Sequence, residues 1–187
     1  MVSLTSLLIP IVVSAVVVFL VSFVLHMLIP FHKNDIRKIP QEDEFLAMVR
    51  GLNLPKGDYA APHADSPAAM KDPVFMEKRN NGPIVIMTTT PGGAPPMSAH
   101  LTKWFIYCVV VSIFAAYIAS RTLAPGTEYV QVFRVVGTTA FMGYALALVQ
   151  NWIWWMKDGG ATFRSMIDGL AYALATAGVF GSMWPAA

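Results

Sequence analysis

Cysteine is almost missing from this chain: Cys108 is the only one. A single thiol rules out an intramolecular disulfide, a zinc knuckle, an iron–sulfur set and a C-x-x-C-H haem attachment. Set inside an apolar run, Cys108 reads as a small apolar residue. Charge is scarce too, at 13% of residues against 56% aliphatic and aromatic ones, a balance that does not fit a soluble domain. There is no block of like charges of the kind that binds nucleic acid. No P-loop, G-x-G-x-x-G or G-x-S-x-G elbow is present, so no catalytic residue can be named and the chain reads as non-enzymatic. The amino terminus lacks the positive region and A-x-A site of a cleaved signal, so its apolar run is expected to be retained. No internal repeat or inverted-repeat signature of a transporter is evident.

What the chain has is four apolar stretches. Crossing about 30 Å of hydrocarbon at about 1.5 Å per residue takes about 20 mostly apolar residues. Residues 1–30, 135–156 and 165–184 meet that length. The second span, 104–123, does so with Arg121 snorkelling to the interface. The expected fold is an all-α membrane protein of four transmembrane helices, residues 1–30 forming the first and 98–187 holding the other three. Residues 31–97, about 67 residues, form an irregular segment between them.

The basic residues orient this map. Of 13 Lys and Arg, only Arg121 and Arg134 fall on the side opposite the long segment. Positive charge collects on the cytoplasmic side. The long segment is therefore expected in the cytoplasm and both termini outside, in a bacterial inner membrane. Counting only Lys33, Arg37, Lys38, Lys103, Lys157 and Arg164 near the span ends leaves the orientation unchanged. Trp104, Trp152, Trp154 and Trp155 mark the inner boundary and Trp184 the outer one, as interfacial aromatics do.

Within the long segment, Gln41–Arg50 is expected as a short helix, with acids in its first turn and Gly51 as a left-handed cap. Residues 53–73 show no period and read as loop. Val74–Arg79 reads as a helical turn. Ile84–Thr90 is the one convincing strand and needs a partner, because an isolated strand is unstable. Residues 91–96 read as a turn-rich linker, with Ser98 as an N-cap leading into the second span.

Polar residues inside the spans are the candidate site. Asp168 lies about one turn into the fourth span, where a carboxylate is costly enough to indicate function. Arg164, four residues earlier, offers it an interfacial partner. His26, Gln150 and Asn151 fall at a similar depth, so His26, Asn151 and Asp168 are expected to form a polar layer beneath the inner interface. That layer serves either as interhelical hydrogen bonding or as a pocket for a headgroup, quinone or small substrate. The histidines match no H-x-x-x-H or H-x-x-E-H spacing, so no metal is expected. Gly169, Ala173, Ala177 and Gly181 recur every four residues and give the fourth span a small-residue stripe for close helix packing.

The histidine-bearing first span, His32-Lys33-Asn34-Asp35 through Ile39-Pro40, Pro55-Lys56-Gly57-Asp58-Tyr59, and Gly82-Pro83 followed by Thr88–Pro91 together resemble a group of small bacterial multi-span membrane proteins with no assigned activity. The resemblance implies an inner-membrane setting and carries over no site residue. The expected function is an accessory or scaffold subunit of a larger respiratory or photosynthetic membrane assembly, contacting lipid and other subunits or its own copies. The alternatives are a small transporter or proton- and ion-conducting protein using the polar layer, and an enzyme handling lipid or quinone. No cofactor is called, with bound lipid, quinone or pigment left open.

Overall fold

Long apolar runs become mostly helical stretches, and three of these are long and apolar enough to cross a membrane: Thr5–Leu28, Met97–Thr122 and Tyr129–Trp155. The computed structural model describes residues 1–93 and 96–187, which divide into two compact units, 1–37 with 96–187, and 38–93. The expected linker 91–96 includes Ala94 and Pro95, which lie outside the described residues.

The first unit is a helix bundle. Helix α1 (Leu8–Phe23) begins after a short 3-10 turn at Thr5–Leu7 and runs into a π-helical turn at Val24–Leu28. Helices α4 (Met97–Thr122), α5 (Tyr129–Tyr144), α6 (Val149–Trp155) and α7 (Gly159–Ser182) follow, while α2 (Glu42–Gly51) and α3 (Pro73–Asn81) belong to the second unit. Helix α1 packs on α4 and α7, and α5 packs on the same two. Many of the buried residues are small: Ala15, Ala115, Ala119, Ala140, Ala173 and Ala177 are at most 1% exposed, beside larger buried side chains such as Leu7, Val18 and Phe180. Ser14 donates to the Ser112 hydroxyl at 2.9 Å between α1 and α4, both buried. Many large apolar side chains point outward, as packing in lipid leads one to expect.

Helix α7 belongs to the same pattern although it is less apolar along its length. Arg164, Asp168 and its small residues dilute it, yet Phe163, Ile167, Leu170 and Leu174 form an exposed apolar face. Opposite them lies the small-residue stripe. A Cβ on Gly169 would stand 2.7 Å from the Ala145 Cβ, and one on Gly181 would stand 2.6 Å from the Tyr129 ring. The stripe is therefore filled by the chain's own α5 and the residue that follows it. At one end of the bundle the Gly126 amide donates to the Pro185 carbonyl at 2.8 Å, and the Trp184 indole donates to the Ala124 carbonyl at 2.9 Å. These bonds tie the carboxyl terminus to the α4–α5 turn.

Several expected boundaries are corrected. The third span is not one helix over 135–156: α5 stops at Tyr144, where Ala145 leaves helical geometry, and a 3-10 turn at Leu146–Leu148 leads into α6. Close approach of Gly169 to the Tyr144 carbonyl coincides with that break. Ser98 does not cap α4, since the cap position is Pro96.

In the second unit, α2 spans Glu42–Gly51 and α3 spans Pro73–Asn81. Gly51 is the last helical residue rather than the left-handed cap, and Asn53 takes the positive φ, at 49°. Asp72 caps α3, accepting from the Val74 and Phe75 amides at 2.8 and 3.2 Å, with Pro73 in the first turn. The expected strand is β2 (Val85–Thr89), and its partner is β1 (Gly57–Ala61), inside the stretch expected as loop. The pair is antiparallel, Gly57 opposite Thr89 and Ala61 opposite Val85. Thr88 donates to Asp58 at 2.6 Å across it. Gly57-Asp58-Tyr59-Ala60-Ala61 has little intrinsic strand preference, so pairing rather than propensity sets it. None of the described residues of this unit is buried.

Candidate functional site

The end of the first span is irregular because proline and a changed hydrogen-bond pattern meet there. The Ile29 amide donates to the Val24 carbonyl, five residues back, at 3.2 Å. Such π turns recur at functional sites because the extra residue re-aims the side chains around it. Pro30 then opens a 3-10 turn ending at His32. These two turns set the His26 and His32 rings parallel, with centroids 4.7 Å apart and planes 5° from coplanar.

Each imidazole is held through Nδ1. In His26, Nδ1 donates to the Ser22 carbonyl at 3.1 Å, since a carbonyl can only accept. In His32, Nδ1 donates to Asp35 Oδ2 at 2.7 Å. Asp35 is held in turn by the Arg164 guanidinium, whose Nε donates to Oδ1 at 2.7 Å and whose Nη2 also reaches Oδ1. The hydrogen bond from His32 holds the Asp35 carboxyl below its ordinary range. Partial burial opposes the shift, and the bond and charge of Arg164 add to it.

Both Nε2 atoms approach Asp168. His32 Nε2 lies 2.7 Å and His26 Nε2 3.7 Å from its Oδ2. Asp168 is 3% exposed, and its Oδ1 has no hydrogen-bond partner. The hydroxyl of Tyr172, one turn along α7, is also buried without a partner. Three groups able to hold a cation, His26, His32 and Asp168, thus lie within 4.8 Å of one another.

Beside this cluster is a cavity of about 580 Å³, to which α1, α4, α5 and α7 all contribute walls. Its lining combines polar side chains, from His26, Ser165, Asp168 and Tyr172, with apolar ones, from Phe19, Phe23, Leu101 and Leu148. Trp104 stacks on Tyr107 at 5.7 Å and meets Tyr172 edge-on at 5.6 Å. The Trp104 indole donates to Ser22 Oγ at 2.9 Å, and the Tyr107 hydroxyl donates to the Gly143 carbonyl. The aromatic wall is therefore fixed by hydrogen bonds as well as by packing.

The expected polar layer comes together only in part. His26 and Asp168 meet. Gln150 and Asn151 are exposed on α6 and do not line the cavity. Arg164 pairs with Asp35 instead of Asp168. Trp104 joins the cavity, while Trp152, Trp154 and Trp155 are exposed on α6, and Trp184 belongs to the terminal clasp. His32, Asp35 and Tyr172 were not expected at the site. The available signal was two histidines bracketing Pro30, with Asp35 three residues beyond the second.

No protein-family model, curated protein or solved structure matches this chain. The functional reading therefore rests on the geometry alone.

Proposed function

We propose that the chain is a four-span protein of a bacterial inner membrane that binds an amphipathic, flat-ringed ligand of the quinone class between its helices. The observation that carries this reading is the cavity: apolar and aromatic walls, a few polar groups in its lining, and enough volume for a ring headgroup with the first part of a tail. Trp104 and Tyr107 offer faces for stacking. The Tyr172 hydroxyl, buried without a partner, is a donor suited to a quinone carbonyl. The exposed apolar face of α7, with a length of about 36 Å at about 1.5 Å per residue, supports a fourth span. The charge asymmetry supports a cytoplasmic location for the cluster and the second unit.

The test is extraction of the detergent-purified protein into organic solvent and mass spectrometry of what it carries. A quinone is expected at close to one per chain, and Leu101→Trp, which places a bulkier side chain in the cavity wall, is expected to lower its recovery. Recovery of phospholipid alone, at equal levels in both proteins, would overturn the quinone assignment.

A second reading, the accessory subunit of a larger membrane assembly, draws support from the second unit. With no buried residue among those described, it has little core of its own and gains from an external surface. The small-residue stripe of α7 does not add to that reading, because the chain's own helices fill it. A proton- or ion-conducting path through His26, Asn151 and Asp168 draws less support, since Asn151 lies on the surface.

A further inference from the structure

The geometry points to a divalent first-row transition-metal ion bound by His26 Nε2, His32 Nε2 and the carboxylate of Asp168. This inference stands on the donor atoms and does not depend on the quinone reading.

Tautomer is the first ground. A backbone carbonyl accepts from Nδ1 of His26 and a carboxylate accepts from Nδ1 of His32. In the neutral rings both Nε2 atoms then carry lone pairs, the form in which imidazole binds metal. The Asp35–His32 contact is the carboxylate–histidine arrangement that orients metal-bound imidazoles, and Arg164 holds the carboxylate in place. Outer-sphere partners are thus present for both imidazoles.

The second ground is what lies between the donors. A lone pair on His32 Nε2 stands 2.7 Å from an oxygen of Asp168. Two acceptors that close repel unless something positive joins them, either a proton or a cation. His32 Nε2 is buried and makes no well-directed hydrogen bond to that oxygen. A proton satisfies two acceptors, whereas three donor groups lie here within 4.8 Å of one another. Tetrahedral donors about 2.1 Å from a metal sit about 3.4 Å apart. The 3.7 Å separation of His26 and Asp168 suits that geometry. The 2.7 Å separation needs to widen by under about 1 Å, and the two stacked rings, 5° from parallel, need to tilt so that both Nε2 lone pairs meet one ion. His26 is half-exposed and His32 sits on the turn after Pro30, so both movements are local.

The third ground is the unpartnered oxygen. Asp168 Oδ1 is buried with no partner, and such a group is costly unless a ligand completes it. Two imidazoles and one carboxylate make a set suited to zinc or iron(II) and leave at least one coordination position open. His26 and Asp168 also line the cavity, so the open position adjoins it.

The experiment uses the full chain in mild detergent, carrying no polyhistidine tag, stripped with a chelator and titrated with Co2+. We expect one Co2+ per chain, with visible absorption of a four- or five-coordinate site that Zn2+ abolishes. His32→Gln and Asp168→Asn are expected to weaken binding by more than about 100-fold, beyond the loss typical of an outer-shell partner. His26→Gln, at a half-exposed position that the bundle tolerates, gives the same answer if Asp168→Asn does not fold. His63→Gln and His100→Gln are expected to leave binding unchanged. Failure of the wild-type protein to bind one equivalent overturns the inference, since a histidine–aspartate pair that merely shares a proton takes up no Co2+. So does binding that survives both His26→Gln and His32→Gln, or that is lost in His63→Gln. Because the readout is the ion, a missing quinone leaves this result unaffected.

Discussion

Gly181 and Gly169 carry more of the packing than their size implies. Each faces a neighbour so closely that a Cβ would stand under 3.0 Å from it, and at Gly169 one of the nearest atoms is a backbone carbonyl. Substituting Gly181→Val or Gly169→Leu is expected to destabilise the bundle by about 1–3 kcal/mol through overpacking, read as a lower melting temperature in detergent. Gly51→Ala, in a helix with nothing within 4 Å of the new methyl, is expected to stabilise slightly or leave stability unchanged. Asp35 offers a finer probe. Asp35→Asn leaves the three proposed metal donors in place and changes the group that orients His32, together with its ion pair to Arg164. Its expected effect is a loss of about 10- to 100-fold in Co2+ affinity, measured by competition with a coloured chelator. An unchanged affinity would mean that His32 holds its position without Asp35.

The π turn at Val24–Leu28 is the element on which the cluster depends. Each residue of a helix advances side chains by about 100°, so deleting Met27, an exposed residue of that turn, moves His32 out of phase with His26. The deletion is expected to preserve helix content by circular dichroism while abolishing Co2+ absorption; retained absorption would show that the turn is incidental. None of this was readable from spacing alone. The apolar runs made the spans legible, and the depth of His26 and Asp168 brought those two residues into one layer. The partner of Asp168 was not legible, because His32 lies beyond Pro30 in a stretch that reads as loop and approaches Asp168 only through two non-α turns. The α5–α6 break escaped notice for a related reason. Ala145 through Leu148 is good helix-forming sequence, and tertiary contact with Gly169 overrides it. In β1 the backbone pairs where side chains give no cue.

At the scale of the whole molecule, the proposed orientation is one that chemistry can read. Cys108 is fully buried and is expected to be silent toward membrane-impermeant maleimides. Thr127→Cys, in the α4–α5 turn, is then expected to label in intact cells, and Lys71→Cys only after the membrane is opened. The opposite pattern would invert the map drawn from the basic residues. The bundle's outward-facing apolar side chains have a thermodynamic consequence as well. Phe163, Ile167, Leu170 and Leu174 face outward in the folded bundle, and in a bilayer they would still face acyl chains after the helices separate. The positive heat capacity of unfolding comes from apolar surface meeting water, and here little such surface would do so. Dissociation of the helices within lipid should therefore proceed with almost no heat-capacity change, giving a nearly straight dependence of stability on temperature in place of the dome seen for water-soluble domains.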